Sequence, residues 1–473
     1  MNITRRSVLL AGTAATAAWR LPAQGRARPL TPEQFGAKGD EVTDDTAALA
    51  RLAAEVNRQS GGDILFRRTT YLVGVQTRTT GDAIYAFEPA KILEFSGCTK
   101  PLRLRGNGAR IKCAPGLRYG TFDRASGDAT SHSMPFLGGG EISTPYRFMV
   151  KAENCLAAVE IGDLELDGSL DQLRLGGPYG DTGHQIPAIG LGLLNNRGPE
   201  RLMRIHSHHH GQDGLLIDGA DGLRPAGATG VIEQVRCEYN GRQGCSIVGG
   251  QDYAFEACKF NHTGRSAVAS NPGAGVDIEA EAGKKVRRLR FADCEFADNF
   301  GQGMVADSGD SEGATFTRCT FVGSTNWAVW PNKPRFRFDE CRFVGPVVRA
   351  HGSQDPGQAT QFHDCLFRDD PALSPSGKIY GGENGDRPIA DLPGNPNVLF
   401  NRCRFQLTHD AVLPWTTDVT YADCVMSQAA VRESYPRGRF TGRTTIDGKA
   451  AIAGSRIEGE VVLNGRRLDR GRA

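Results

Sequence analysis

The chain has 473 residues, including 60 glycines and 24 prolines, with 39% hydrophobic residues and a formal net charge of +2. That balance gives no reason to expect nucleic acid or an anionic membrane as a partner. The composition suits many short strands joined by turns better than a helical protein.

Residues 1–25 read as an export segment. Thr4-Arg5-Arg6-Ser7-Val8-Leu9-Leu10 precedes a small apolar run from Ala11 to Trp19 and then Leu21-Pro22-Ala23, a twin-arginine signal, or alternatively a general secretory one, removed on maturation. The run is too short to span a bilayer, so the expectation is a periplasmic or secreted protein with no stable membrane insertion. Residues 30–473 then form a single domain, of which 30–73 are the N-terminal cap and first coil. Within the cap, Thr43 is positioned to cap a helix carrying Asp44 and Asp45 in its first turn, where carboxylates suit the positive dipole end. Leu49, Leu52, Ala53 and Val56 share one face of that helix, and Gly61-Gly62 end it.

The stretch Gln34-Phe35-Gly36-Ala37-Lys38-Gly39-Asp40 to Leu49, followed by Asp63-Ile64-Leu65-Phe66 and Thr70-Tyr71-Leu72-Val73, resembles the opening of the pectate-lyase-like (rhamnogalacturonase/epimerase-like) superfamily of right-handed parallel β-helix proteins. Glu41 stands where that pattern has glycine, and Arg67-Arg68 replaces its usual Pro-Ala turn. The resemblance implies a fold. Its members include lyases, hydrolases, epimerase-like proteins and phage tailspikes, so it does not fix a reaction.

From Gly74 to Tyr146 the pattern is irregular, with strand-like pieces at Leu102 to Leu104 and Ala109 to Cys113. Gly116 to Tyr146 reads as a long loop that can wall a site. Regular repetition fills 231–427. A phrase built on a cysteine returns at Cys237, Cys258, Cys294, Cys319, Cys341, Cys365, Cys403 and Cys424, with a basic interval of roughly 21 to 25 residues, the mark of a solenoid. In each phrase the cysteine and the residue two places on are apolar between polar flanks, the alternation of a half-buried strand. The expected fold is all-β, a right-handed single-stranded parallel β-helix with an N-terminal capping α-helix. The cysteines would form an interior ladder, as a stack of thiols or, alternatively, with disulfides between neighbours.

Aligning Gly214, Gly244, Gly275 and Gly303 at the start of the next strand of each coil places Asp218, Val248, Glu279 and Asp307 in one outward column, with Asp277 beside Glu279. Neighbouring carboxylates are costly unless a proton, cation or substrate intervenes. Asp277, Glu279, Asp307 and Asp218 are therefore the catalytic candidates. An insertion after Cys258 brings in His262 and Arg265 as a base and a cation overhanging those acids. Asp277, Glu279 and Asp307 form a possible Ca²⁺ set, the one cofactor expected.

Trp327 and Trp330 are candidates for stacking on sugar rings, with His208 as a further substrate contact. A zinc site in His206, His208, His209 and His210 is disfavoured, because alternate strand residues face opposite sides and no further ligand set is visible. Ser207 is expected in the cysteine ladder and His209 in an inward aromatic slot.

These residues suggest an exported enzyme cleaving a polysaccharide, a uronate-containing one by β-elimination in the first reading. A glycoside hydrolase with paired carboxylates and a noncatalytic glycan-binding solenoid are the alternatives.

Overall fold

The computed structural model describes residues 28–79, 84–130, 141–177, 186–219 and 229–472; residues 1–25, expected to be an export segment, lie outside them. The chain winds as a right-handed parallel β-helix in which each regular coil contributes one strand to each of three faces. Sheet I includes Tyr253–Glu256, Ser311–Thr317 and Arg337–Asp339; sheet II includes Lys259–Asn261, Glu295–Ala297 and Thr320–Val322; sheet III includes Asp213–Asp218, Val276–Ile278, Met304–Ala306 and Val329–Pro331. Equivalent strands pair in parallel from coil to coil, and inward side chains meet in a continuous buried core.

Sheet I turns into sheet II at one residue with left-handed backbone, such as Asp293, Arg318, Glu340, Asp364 and Arg402. That conformation is uncommon for residues with a Cβ, and here it redirects the chain so that the next residue points inward. The turn column is tied outside by charge: Arg318 grips Asp293 at 2.8 and 2.7 Å, and Arg402 grips Asp364 at 2.8 and 2.6 Å.

The residue after the turn is the ladder cysteine. Register aligns Cys258, Cys294, Cys319, Cys341, Cys365, Cys403 and Cys424 on successive coils, and all twelve cysteines are free and buried. Cys237 is not in this ladder. It pairs with Ser207 on one side and Phe260 on the other, so it and Ser207 occupy the aromatic column, two residues further on, while Val235 sits level with Cys258. A two-residue offset keeps the same side inward, which is why the phrase looks alike in sequence.

Beside the thiols run two columns of rings. Phe291, Phe316, Phe338, Phe362 and Phe400 stack at 4.7–4.9 Å with near-parallel planes. Phe296, Phe321, Phe343, Phe367 and Phe405 form the second column, edge-on to the first. The identical spacing of strands and rings lets each ring find its partner without strain.

At the N-terminal end the helix Thr46–Arg58 buries Leu49, Leu52, Ala53 and Val56 against the first coil. It starts after Asp45, two residues later than a Thr43 cap requires. The Thr43 hydroxyl donates to Asp40 at 2.9 Å, and Asp44 accepts the backbone N–H of Thr46 at 2.9 Å. Sheet I and II strands Gly62–Leu65 and Thr70–Val73 follow, both pairing with the long strand Leu102–Cys113. The irregular region builds a small second sheet from Thr77–Arg78, Tyr85–Glu88, Arg118–Thr121, Ile142–Ser143 and Arg174–Gly176. At the C-terminal end Arg466–Leu468 turns back antiparallel on Glu460–Leu463, and Gly471–Arg472 on Arg456–Ile457.

Candidate active site

Sheet III carries the acids. Its ladder sets Leu216, Ser246, Asp277, Val305 and Trp330 one above another, all facing out. Asp218 leaves the expected column because a bulge at Val248 pairs it with Gly249. It ends in an ion pair with Lys284, which also reaches Asn195 at 2.9 Å. Glu279 follows Asp277 on the same face and is bonded by Ser308; Asp307 is exposed.

Asp277 differs from the other outward acids in being only 5% exposed. Its Oδ2 accepts a hydrogen bond from Gln243 Nε2 at 2.8 Å, and Gln243 Oε1 accepts the backbone N–H of Ala274 at 3.0 Å, fixing the amide's orientation. Removal from water raises the Asp277 carboxyl to about 8; the Arg242 charge opposes this, while Glu279, Asp213 and Asp307 add to it.

Asp213, buried where the preceding coils enter sheet III, accepts from the Ser246 hydroxyl at 2.9 Å and faces Arg242 Nη1 at 3.9 Å. Burial raises it to about 6, again opposed by Arg242. One buried guanidinium thus serves two buried carboxyls of separated titration, an arrangement that at neutral pH leaves Asp277 protonated and Asp213 ionised. Asp213 Oδ1, Arg242 Nε and Gln302 Oε1 are buried without hydrogen-bond partners. Asp213 and Arg242 face each other on adjacent coils, and unmet polar atoms of this kind suit a ligand or ordered water better than a finished structural network.

Asp213, Arg242, Gln243 and Ser246 were missed in the sequence. The signal was the pairing of Gln212-Asp213-Gly214 with Arg242-Gln243-Gly244, where charged and amide side chains stand just ahead of the aligned glycines.

His262 and Arg265 do not overhang these acids. His262 Nδ1 lies 3.1 Å from Asp298 Oδ2; Arg265 Nε donates to the Asp298 carbonyl at 3.0 Å, and its Nη2 to Thr325 at 2.7 Å. Further on, the inserted loop also reaches earlier coils at the corner between sheets II and III, with Ala267 N–H donating to Asp171 at 2.9 Å and Ser270 N–H to the Gly241 carbonyl at 2.8 Å.

The histidines occupy the outer face of sheet II. His206 and His208 point outward as expected. His209 is not in an inward slot: its left-handed backbone places it at the corner, stacked on Tyr239, which stacks in turn on His262. The fully buried member is His210, bonded to the Tyr146 hydroxyl at 2.8 Å, and burial lowers it to about 3. Among the described residues, the groupings of metal-ligating atoms lie at these histidines, and none includes Asp277, Glu279 and Asp307; the calcium arrangement is not formed.

Further along sheet III, Trp330 is followed by Val348, Asp391 and Trp415 in register. Arg349 lies over the Trp330 ring at 5.1 Å. Trp327 is buried, edge-on to Tyr380, and lines a cavity of about 420 Å³ with Trp415, Arg349, Glu383, Asp386 and Asp391. Trp330 Nε1 and Trp415 Nε1 are buried without partners. Asp277, Trp330 and this cavity therefore mark one line along the helix axis. His208, on sheet II, is not part of it.

No family model matches the chain, and no curated protein matches it. Among solved structures, it is similar to the A-module of the Azotobacter vinelandii mannuronan C-5 epimerase AlgE4, at 14% identity over 91% of this chain and 96% of that one, with a TM-score of 0.43. It is also similar to an exopolygalacturonase from Thermotoga maritima, at 13% identity over 95% and 96%, TM-score 0.38. The pre-mature bacteriophage phi29 gene product 12 is similar at 12% identity over 93% of this chain and 58% of that one, TM-score 0.47.

Proposed function

We propose that the protein is an exported carbohydrate-active enzyme that hydrolyses a polysaccharide lying along the outer face of sheet III. The observation that carries this reading is the Asp213–Arg242–Asp277 arrangement. Glycoside hydrolysis needs one carboxyl to give a proton to the leaving oxygen and another to activate water or attack. Asp277, at about 8, holds its proton at neutral pH and is the general acid. Asp213, at about 6 and oriented by Ser246, is the second carboxylate. Their strands lie two rungs apart, about 10 Å, and Asp277 stands three residues further along the register than Asp213. Trp330 and the cavity beyond it supply faces for sugar rings.

β-Elimination is less well supported. It requires cationic or donor groups around a uronate carboxylate, and the His262 and Arg265 side chains first assigned there are committed to Asp298. The face is dominated by acids, with Glu279, Glu281 and Asp307 near the carboxyl pair and Glu383, Asp386 and Asp391 around the cavity. Such a field repels a polyanion, so a neutral or amino-sugar polymer is the favoured substrate class. Purified protein is to be incubated with neutral, amino-sugar and uronate polysaccharides, assaying reducing ends and ultraviolet-absorbing unsaturated uronate together. New reducing ends without unsaturation, from a non-uronate polymer, are expected. Unsaturated product would establish a lyase, and binding with neither product a noncatalytic solenoid.

A further inference from the structure

The outer face of sheet II holds a second cluster that the carboxyl site does not use. Parallel register sets Glu165 beside His206 and Asp167 beside His208, and His209 follows at the corner. Glu165, His206 and His208 each offer a ligand atom within 4.8 Å of the others, as do Asp167, His208 and His209. The strand alternation that limits a single His-rich segment is thus overcome by stacking, because the preceding coil contributes the carboxylates.

The finer geometry separates ligands from supports. His208 Nε2 lies 3.2 Å from Glu165 Oε1. Metal bonds of about 2.0–2.2 Å to nitrogen and oxygen in a tetrahedral site imply ligand-to-ligand edges of roughly 3.3–3.6 Å, close to this spacing. His206 Nε2 is buried and paired with Glu238 Oε2 at 3.1 Å, which fixes the ring beside Glu165 and His208. The other nitrogen of His208, Nδ1, faces His209 Nδ1 at 2.7 Å and Asp167 Oδ1 at 3.8 Å. Arg110 anchors both Asp167 and Glu165. The second His208 nitrogen is thus held by His209, with the Arg110-anchored Asp167 carboxylate just beyond bonding distance, and a ligating histidine whose second nitrogen is held in this way is the usual support of a metal site.

We propose that Glu165, His206 and His208 bind one first-row divalent cation of the zinc class, with Asp167 and His209 orienting His208 from behind. Two imidazoles and one carboxylate leave the fourth position open. The site lies around the corner from Asp277 and does not depend on the hydrolytic reading.

The test uses untagged full-length protein stripped with chelator, then titrated with Zn²⁺ and with Co²⁺ by calorimetry and, for Co²⁺, by visible absorption. One equivalent is expected to bind and to raise the melting temperature. His208→Ala is expected to weaken binding at least about 100-fold and Asp167→Asn about 10-fold. His363→Ala, whose ring contacts Gln361 and Asn401 on sheet I, is expected to change neither. If His208→Ala fails to fold, Glu165→Gln provides the same comparison. Absence of stoichiometric binding of both ions, or affinity unchanged in the ligand variants, overturns the site.

Discussion

Asp277→Asn is expected to lower kcat for polysaccharide hydrolysis by about 10³-fold while leaving the fold intact, since a positioned general acid contributes some 10²–10⁴-fold. The substitution is close to isosteric, and the Asn side-chain oxygen can still accept from Gln243 Nε2, the bond Asp277 makes at 2.8 Å. Wild-type kcat/KM should follow a bell between Asp213 at about 6 and Asp277 at about 8. Below the lower value the second carboxylate is protonated; above the higher one the acid has lost its proton.

The same shift fixes a stability signature. A carboxyl whose folded pKa is raised from 3.8 to about 8 contributes stability fully present below pH 4 and lost as pH rises through 8. At pH 9 the buried charge is a liability worth about 1.4 kcal/mol per pKa unit. Asp277→Asn should therefore melt above wild type at pH 9 and near it at pH 4. Loss of activity with equal melting at both pH values would mean that Asp277 is not the buried acid inferred here.

The largest effect on stability is expected at the aromatic stack. Phe338 is fully buried, stacked on Phe316 and Phe362 at 4.9 Å each and edge-on to Phe343 at 5.5 Å. Phe338→Ala removes a rung from both neighbours at once and leaves a cavity, at a cost of about 3–5 kcal/mol in chemical denaturation. Because coils touch only their neighbours, hydrogen exchange should rise first in the coils on either side of Phe338 and least at the N-terminal cap. A uniform rise throughout would mean that the solenoid unfolds as one unit.

The fold was legible because its information is local and repeated. An apolar residue two places after each cysteine specifies strand, inward face and period together. What stayed hidden depended on register finer than that period. Cys237 mimics the ladder phrase, yet it sits with Phe260 because a two-residue slip preserves inward and outward faces. Asp218 was aligned with Val248, and the bulge that moves it leaves no mark in the sequence. Asp277 could be placed on the outer face because alternation alone turns it outward. Its partners Asp213 and Arg242 could not, because they stand at the first residue of a strand and at the corner just before one, where alternation says little about direction. His262 and Arg265 failed for a related reason: the length of an insertion does not say which way the loop folds, and Asp298 decides it. At the histidines, the missing carboxylates were some forty residues upstream and became neighbours only by stacking.

The most direct test of the proposed acid is a pH titration of its carboxyl by ¹³C NMR in protein labelled at aspartate, assigned through Asp277→Asn. A midpoint near 8 that falls in Asp213→Asn and rises in Arg242→Gln is expected, because Asp213 raises and Arg242 lowers this group. A midpoint near 4, unmoved by either substitution, would contradict it.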